Sequence, residues 1–482
     1  MNAKRVIGVL GLLVVAAGIA MLTAVPISLL FGGADAIALL SSSVITILTG
    51  AALGVVGRSD RSNLRVREGF AIVTFGWILI PLFGALPFLL SNSIPSFTDA
   101  YFESVSGFTT TGASIVTDVE ALPHGILYWR SLTHWLGGMG IVVLYLAILP
   151  MIGFGAVHLF KAEVSGMSKD KLTPRVVDTA RILWGVYMLL TASEMGLLML
   201  GGMSWFDALC HSFGTIATGG FSTKNASIGF YQSPYIDIVV TIYMLLAATN
   251  FSLHYAALRG NIGGYFRNEE LRFFLVTYAF VVAVVTLATL HTNFDGNFAD
   301  AFRYGAFNIA SVMSCTGFAT SDFALWVPLA QAMIFVAMFP GGCSGSTAGG
   351  IKMVRVYLLL KSVSTAVRRL LHRRAVVHIR LDGDVVDDDI LVKVGAFVLF
   401  YVGFFVAASL ILLETGLDAV AAFTATATCL AGIGPGLGSV GPMSNYHHLS
   451  DTGKYVLEVC MVVGRLELFT AIVLMSPAFW RS

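Results

Sequence analysis

The chain is poor in charge. Only 12% of its 482 residues are Asp, Glu, Lys or Arg, against about 25% in soluble domains. The 29 basic and 28 acidic residues leave a net charge of +1, so no field draws nucleic acid or another polyanion. Cysteine is scarce too: Cys210, Cys315, Cys343, Cys429 and Cys460. Their odd number, irregular spacing and mostly apolar context exclude a disulfide framework and a thiolate metal site. They read as small hydrophobes. The metalloprotease pattern H-E-x-x-H is missing, as are the phosphate loop G-x-x-x-x-G-K-[ST] and a strand-borne G-x-G-x-x-G. A soluble enzyme, a disordered chain and a nucleic-acid binder are all excluded.

What the chain has instead is apolar length and glycine. Apolar residues make up 56% of it, and 50 residues are glycine. A membrane helix needs about 20 apolar residues. Ten spans are expected, at 6–31, 36–57, 69–90, 125–156, 176–201, 234–258, 270–290, 326–360, 390–414 and 453–479, the eighth broken by glycines. Lys4 and Arg5 precede the first run, but that run is too long for a signal peptide and lacks a cleavage pattern, so it reads as a retained helix. With the N-terminus inside, 24 of the 29 lysines and arginines fall on inner segments. Only Arg130, Lys224, Arg303, Lys454 and Arg465 remain for the outside or the membrane. This asymmetry predicts cytoplasmic termini and an even number of crossings.

Apolar stretches too short to cross begin near Phe97, Trp205, Phe298 and Leu417. Each carries Asp-Ala: Asp99-Ala100, Asp207-Ala208, Asp300-Ala301 and Asp418-Ala419. Each leads to a glycine-bearing turn, at Thr109–Ser114, Ala217–Ser222, Cys315–Thr320 and Gly432–Gly436. Aligning Gly112, Gly219, Gly317 and Gly434 places Thr111, Thr218, Thr316 and Ile433 just before them. We read one unit of helix, short helix, extended turn and helix, repeated four times after two leading helices. Asp suits the N-cap of the short helix. The negative C-terminal end of a short helix entering from outside favours a cation at mid-membrane. Non-helical backbone at that depth is tolerated where it lines a wet cavity. Four such turns around one axis make a carbonyl-lined cation filter.

These turns, with Gly341–Lys352 and Gly464-Arg465-Leu466-Glu467, resemble the Trk/Ktr/HKT superfamily of potassium transporters, and in particular its bacterial TrkH/TrkG pore subunits. The resemblance spans nearly the whole chain. Two positions depart from the pattern: Gly432, where asparagine is common, and Ala348, where another glycine is expected. The implied fold is an all-α polytopic membrane protein. It divides into a two-helix leading domain (1–65) and four membrane helix–pore loop–membrane helix repeats (66–160, 161–260, 261–380 and 381–482) around one permeation path. The implied activity is K⁺ uptake across the bacterial inner membrane, with K⁺ as the transported ion and no organic cofactor. The resemblance places the ion at Thr110, Thr111, Gly112, Thr218, Gly219, Thr316, Gly317, Ile433 and Gly434. It also implies a homodimer in membrane lipid, regulated by a cytosolic nucleotide-binding subunit of the TrkA type.

The run 341–350 holds five glycines in ten residues and cannot persist as helix, at about 1 kcal/mol each relative to Ala. The resemblance makes Gly341, Gly342, Gly345, Gly349 and Gly350 an intramembrane gate under the filter. The bland reading is a packing kink. Lys352 either closes this loop on a carboxylate or carbonyl, or snorkels to the inner face. Arg465 is a cation deep in a span and so needs a cavity or a partner. The resemblance projects it into the pore; otherwise it ties helix-end carbonyls or a loop. The basic stretch 368–374, with Arg380, reads as a lipid-headgroup anchor or as the regulator's docking surface.

Three rivals were weighed. A sodium-permeable or ion-coupled HKT-like transporter shares the whole pattern. Gly342-Cys343-Ser344-Gly345 matches the G-x-S-G of rhomboid proteases, but no histidine is well placed to activate Ser344. An inverted-repeat secondary transporter would need repeats of opposite sense, and here all four run the same way.

Overall fold

The computed structural model describes residues 2–57, 66–140, 176–372, 378–466 and 477–480. It is helical apart from one hairpin, in which Arg380–Leu381 pairs antiparallel with Asp384–Val385. Six helices are long and apolar enough to cross a membrane: Ala3–Leu30, Ala36–Val56, Arg67–Leu90, Arg181–Leu200, Glu269–Thr289 and Asp388–Glu414. Large apolar side chains such as Leu30, Ile37 and Leu200 are more than 70% exposed on the outside, while Glu103, His134, His211 and Asn308 are fully buried inside. A polar interior inside an apolar exterior is the arrangement a lipid solvent selects.

The other four expected spans are not single helices. The span 234–258 bends by 102° between Pro234–Ala247 and Phe251–Leu258. The span 326–360 divides into Pro328–Ala337 and Met353–Leu371 on either side of the glycine run. The spans 125–156 and 453–479 begin as His124–Trp135 and Asp451–Arg465 and continue outside the described residues, as does Glu467. The expected boundaries at 65–66 and 160–161 lie beyond them too. The two leading helices pack backbone to backbone: a Cβ on Gly11 would lie 2.6 Å from the Gly50 carbonyl oxygen, the close approach small residues permit.

Four short helices stand between the longer ones: Phe97–Phe108, Trp205–Ile216, Phe298–Met313 and Ala419–Ala431. Their caps differ from expectation. Ser96, Ser204 and Asn297 are the N-caps of the first three, and their side chains accept from the backbone N–H of Asp99, Asp207 and Asp300 respectively. Only Asp418 caps its own helix, accepting from Ala421 N. The first three aspartates instead occupy the third helical position, where a carboxylate favours the positive helix end. The shared Asp-Ala therefore marks two different registers.

Candidate functional site: a ring of four turns

Each short helix ends in the same way. The N–H groups of Thr111, Gly219, Thr316 and Ile433 donate to the carbonyls of Ser106, Gly214, Ser311 and Thr428, at 2.8–2.9 Å. The residues before them, Thr110, Thr218, Cys315 and Gly432, have positive φ. This is a Schellman closure with a left-handed residue at its corner. Three of the corners are not glycine, and two are β-branched threonines with φ of 56° and 54°. Such strain persists only where surroundings impose it.

The residues after the closure are Gly112, Gly220, Gly317 and Gly434, with φ of 80°, 79°, 85° and 93°. In the second turn the glycine matching Gly112 is therefore Gly220. Gly219 occupies the place of Thr111, Thr316 and Ile433, and Thr218 the place of Thr110. The sequence alignment was one residue out of register there, because backbone conformation decides between adjacent glycines. A Cβ on Gly112 would overlap the Gly219 carbonyl oxygen. One on Gly220 would overlap that of Thr316, one on Gly317 that of Ile433, and one on Gly434 would press on that of Thr111. The first turn meets the second, the second the third, the third the fourth, and the fourth the first. The four turns close into a ring.

The carbonyl oxygens of Thr111, Gly219, Thr316 and Ile433 accept no hydrogen bond from the described residues, although all four residues are buried. Buried carbonyls are nearly always paired with protein or water. A ring of four unpaired ones suits a dehydrated cation. Around it the wall alternates. Thr109 Oγ1 lies 2.8 Å from Thr111 Oγ1, and Ser314 Oγ lies 2.7 Å from Thr316 Oγ1. The second and fourth turns have Ala217 with Gly219 and Ala431 with Ile433, which carry no hydroxyl.

A second layer holds the outgoing limbs. Glu103, His211 and Asn308 each stand six residues before the cap residue of their short helix. Glu103 accepts from Ser114 Oγ and Ile115 N, both at 2.9 Å. His211 Nε2 pairs with Ser222 Oγ at 2.9 Å. Asn308 Nδ2 donates to Thr320 Oγ1 at 3.1 Å and Ser321 Oγ at 3.2 Å. In the fourth repeat Thr424, seven residues before Ala431, accepts from Leu437 N at 3.0 Å. Arg130 binds Glu103 and donates to the Ser222 carbonyl at 3.0 Å, joining the first limb to the second. Tyr446 joins the fourth to the first: its N–H donates to Ser114 O at 2.8 Å and its hydroxyl to Gly434 O at 2.6 Å. Sequence reasoning missed these clamps because their residue types differ. Their common offset along four apolar helices was the available signal.

Beneath the ring lies the glycine run. Thr347 Oγ1 donates to the Ile216 carbonyl, at the lower end of the second short helix, at 3.0 Å. A Cβ on Gly349 would overlap the Ala431 carbonyl at the end of the fourth. Gly341, Gly345 and Gly350 have positive φ, as does Lys352 at 67°. Gly342 backs onto Ala248 at the bend of 234–258. Lys352 Nζ donates to the Ala348 carbonyl. The buried Glu270 accepts from Ser344 N at 2.7 Å and Val354 N at 3.0 Å. Arg465 donates to the Thr347 carbonyl at 3.0 Å, and to those of Gly137 and Gly138 at 2.7 and 3.1 Å. It thus ties the loop to a wide π-type turn at Leu136–Gly140, as the second of its two expected roles requires. His254, on the bent helix beside the loop, commits both ring nitrogens, to Tyr265 Oη and the Leu246 carbonyl, so it is no base for Ser344. Among the described residues no cluster of His, Cys, Asp or Glu could hold a metal ion.

Comparison with known proteins agrees with this geometry. The family model TrkH, described as a cation transport protein, matches residues 37–482. A Trk system potassium uptake protein TrkH of Halomonas elongata is 40% identical over the full length of both chains. The TrkH of Escherichia coli K12 is 37% identical, also over both full lengths. The crystal structure of the potassium transporter TrkH from Vibrio parahaemolyticus superposes with a TM-score of 0.89 at 36% identity, covering both chains completely.

Proposed function

Because the chain belongs to the TrkH family of cation transport proteins, a transporter family and not an enzyme family, we propose that it takes up K⁺ through the ring of four turns. The observation that carries this reading is the set of four buried, unpaired carbonyls of Thr111, Gly219, Thr316 and Ile433. They replace part of the ion's hydration shell, and the carbonyl ends of the short helices favour positive charge. Gly112, Gly220, Gly317 and Gly434 allow the turns to approach one another. Thr110 and Thr218 hold the strained corners.

Flow is restricted from below. The segment 341–350, held by Lys352, Arg465 and Glu270, lies across the path between the lower ends of the second and fourth short helices. A cytosolic nucleotide-binding subunit relieves the block. The protein works as a homodimer in the bacterial inner membrane with both termini cytoplasmic, an orientation the distribution of Lys and Arg favours. An inside-negative potential drives uptake, worth about 2.3 kcal/mol per charge per 100 mV.

The test is flux in proteoliposomes under separate K⁺, Na⁺ and H⁺ gradients. K⁺ flux that exceeds Na⁺ flux and follows the imposed potential is expected. Equal Na⁺ flux, or K⁺ movement that requires a Na⁺ or H⁺ gradient, favours the HKT-like alternative.

A further inference from the structure

The cytoplasmic hairpin contacts the helix that holds the loop. Asp382, at its tip with φ of 50°, accepts from Glu269 N at 2.7 Å and from Asn268 Nδ2 at 2.9 Å. These groups form the first turn of Glu269–Thr289. Asn268 is the N-cap of that helix, accepting from Leu271 N at 2.8 Å. The next residue is Glu270, whose single Oε1 receives both Ser344 N in the loop and Val354 N at the start of the following helix. Lys361 adds a second stitch, donating to Glu269 Oε2 and to the Arg380 carbonyl, both at 2.6 Å. A small apolar cluster of Val354, Leu358, Ile379, Val386 and Val394 seats the hairpin on Met353–Leu371. An exposed aspartate is thus separated from the buried loop by one helical turn.

We propose that the hairpin 380–385 positions the intramembrane loop: Asp382 fixes the first turn of Glu269–Thr289, and that turn presents Glu270 to the loop backbone. The proposal rests on reading 341–350 as the restriction. Asp382 is a positioning residue and touches neither the ion path nor the loop. The physical basis is direct. The first N–H groups of a helix have no partner within it. An external carboxylate that accepts from them, at the positive end of the helix, holds the turn in one geometry. Without that carboxylate the turn frays, and Glu270 can no longer keep two amides on one oxygen. Displacing the hairpin from the cytoplasmic side therefore loosens the loop without any contact inside the membrane.

The test uses the full-length protein, with Asp382→Ala, Asp382→Asn and the deletion of 343–348, alone and combined. Asp382→Asn keeps a carbonyl acceptor for the Glu269 N–H and tolerates positive φ. Hydrogen–deuterium exchange at Ser344 and Val354 is read first. It should rise roughly five-fold or more in Asp382→Ala and stay at the wild-type rate in Asp382→Asn. Basal K⁺ flux in proteoliposomes should follow the same order, and Asp382→Ala should add nothing to the deletion. Unchanged exchange in a folded Asp382→Ala protein overturns the coupling whatever the flux does. Raised exchange with unchanged flux, in preparations where the deletion does raise flux, overturns the hairpin's part in gating. A deletion that leaves flux unchanged overturns the reading of 341–350 itself, while the exchange result still decides the coupling.

Discussion

The Glu103 carboxylate meets the Arg130 guanidinium at 2.6 Å, with the two side chains 0% and 3% exposed. Neither is spent on the other alone. Glu103 holds Ser114 and Ile115, whereas Arg130 holds the Ser222 carbonyl and lies 3.5 Å above the Phe221 ring. One ion pair therefore fixes the outgoing limbs of two neighbouring turns.

Removing one charge should cost more than removing both. Glu103→Gln leaves Arg130 buried without its counter-ion, a loss of about 3–5 kcal/mol, and the thermal midpoint in detergent should fall steeply. Adding Arg130→Met should recover part of that loss, because a buried pair replaced by well-packed neutral groups is often tolerated. K⁺ over Na⁺ discrimination should not return, since both limbs stay untied. A double variant as selective as wild type would show that the limbs hold themselves.

The register of the second turn can be tested by rescue. A Cβ on Gly219 meets the His134 ring, whereas one on Gly220 meets the Thr316 backbone. Gly219→Ala should be partly restored by His134→Ala, which opens space at the cost of one hydrogen bond to the Gly107 carbonyl. Gly220→Ala should not be rescued, because its obstacle is main chain and its φ is 79°. Gly112→Ser and Gly220→Ser should lower the K⁺/Na⁺ permeability ratio together. A ratio unchanged in Gly220→Ser would return the filter position to Gly219.

Tyr446→Phe should separate filter geometry from folding. The variant keeps the buried ring and loses the hydroxyl that donates to Gly434 O, at about 1 kcal/mol. The thermal midpoint should barely move, whereas ion discrimination should shift, because one carbonyl of the fourth turn is freed to rotate. Wild-type selectivity in the variant would mean that the Gly434 carbonyl does not influence the path.

Arg465 should behave as a fork and not as a point charge. Its two terminal nitrogens reach three carbonyls on two elements, which an ammonium group cannot span in that geometry. Arg465→Lys is therefore expected to resemble Arg465→Ala, with a lower thermal midpoint and faster K⁺ flux as the loop comes free. If Lys retains wild-type flux and only Ala accelerates it, repulsion of the ion is the operative effect.

The repeat was legible because its parts are compositional. Glycine turns, short apolar helices and the run 341–350 all show in the residues themselves. The bend at 248–250 was not legible, since Ala248-Thr249-Asn250 contains neither Gly nor Pro and the break follows from packing against Gly342 and Cys343. The adjacent glycines at 219 and 220 offered two registers, and only φ separates them. The clamps escaped notice for a related reason. Glu103, His211, Asn308 and Thr424 do one job with four chemistries, so no residue-type match links them. The partners of Arg465 lie 118 to 328 positions away in the chain, and sequence left two roles open for it.

Those four chemistries have a genetic consequence. In a ring built from four copies of one subunit, any substitution changes every wall at once, and mild adjustments are hard to reach. Here each wall is encoded separately, so a mutation alters one quarter of the circumference and leaves three as they were. The hydroxyl pairs at Thr109–Thr111 and Ser314–Thr316, facing apolar counterparts at right angles in the ring order, exist only because of that independence. A chain of this kind can adjust its preference among cations in quarter steps, through changes that a symmetric assembly would experience as four simultaneous ones.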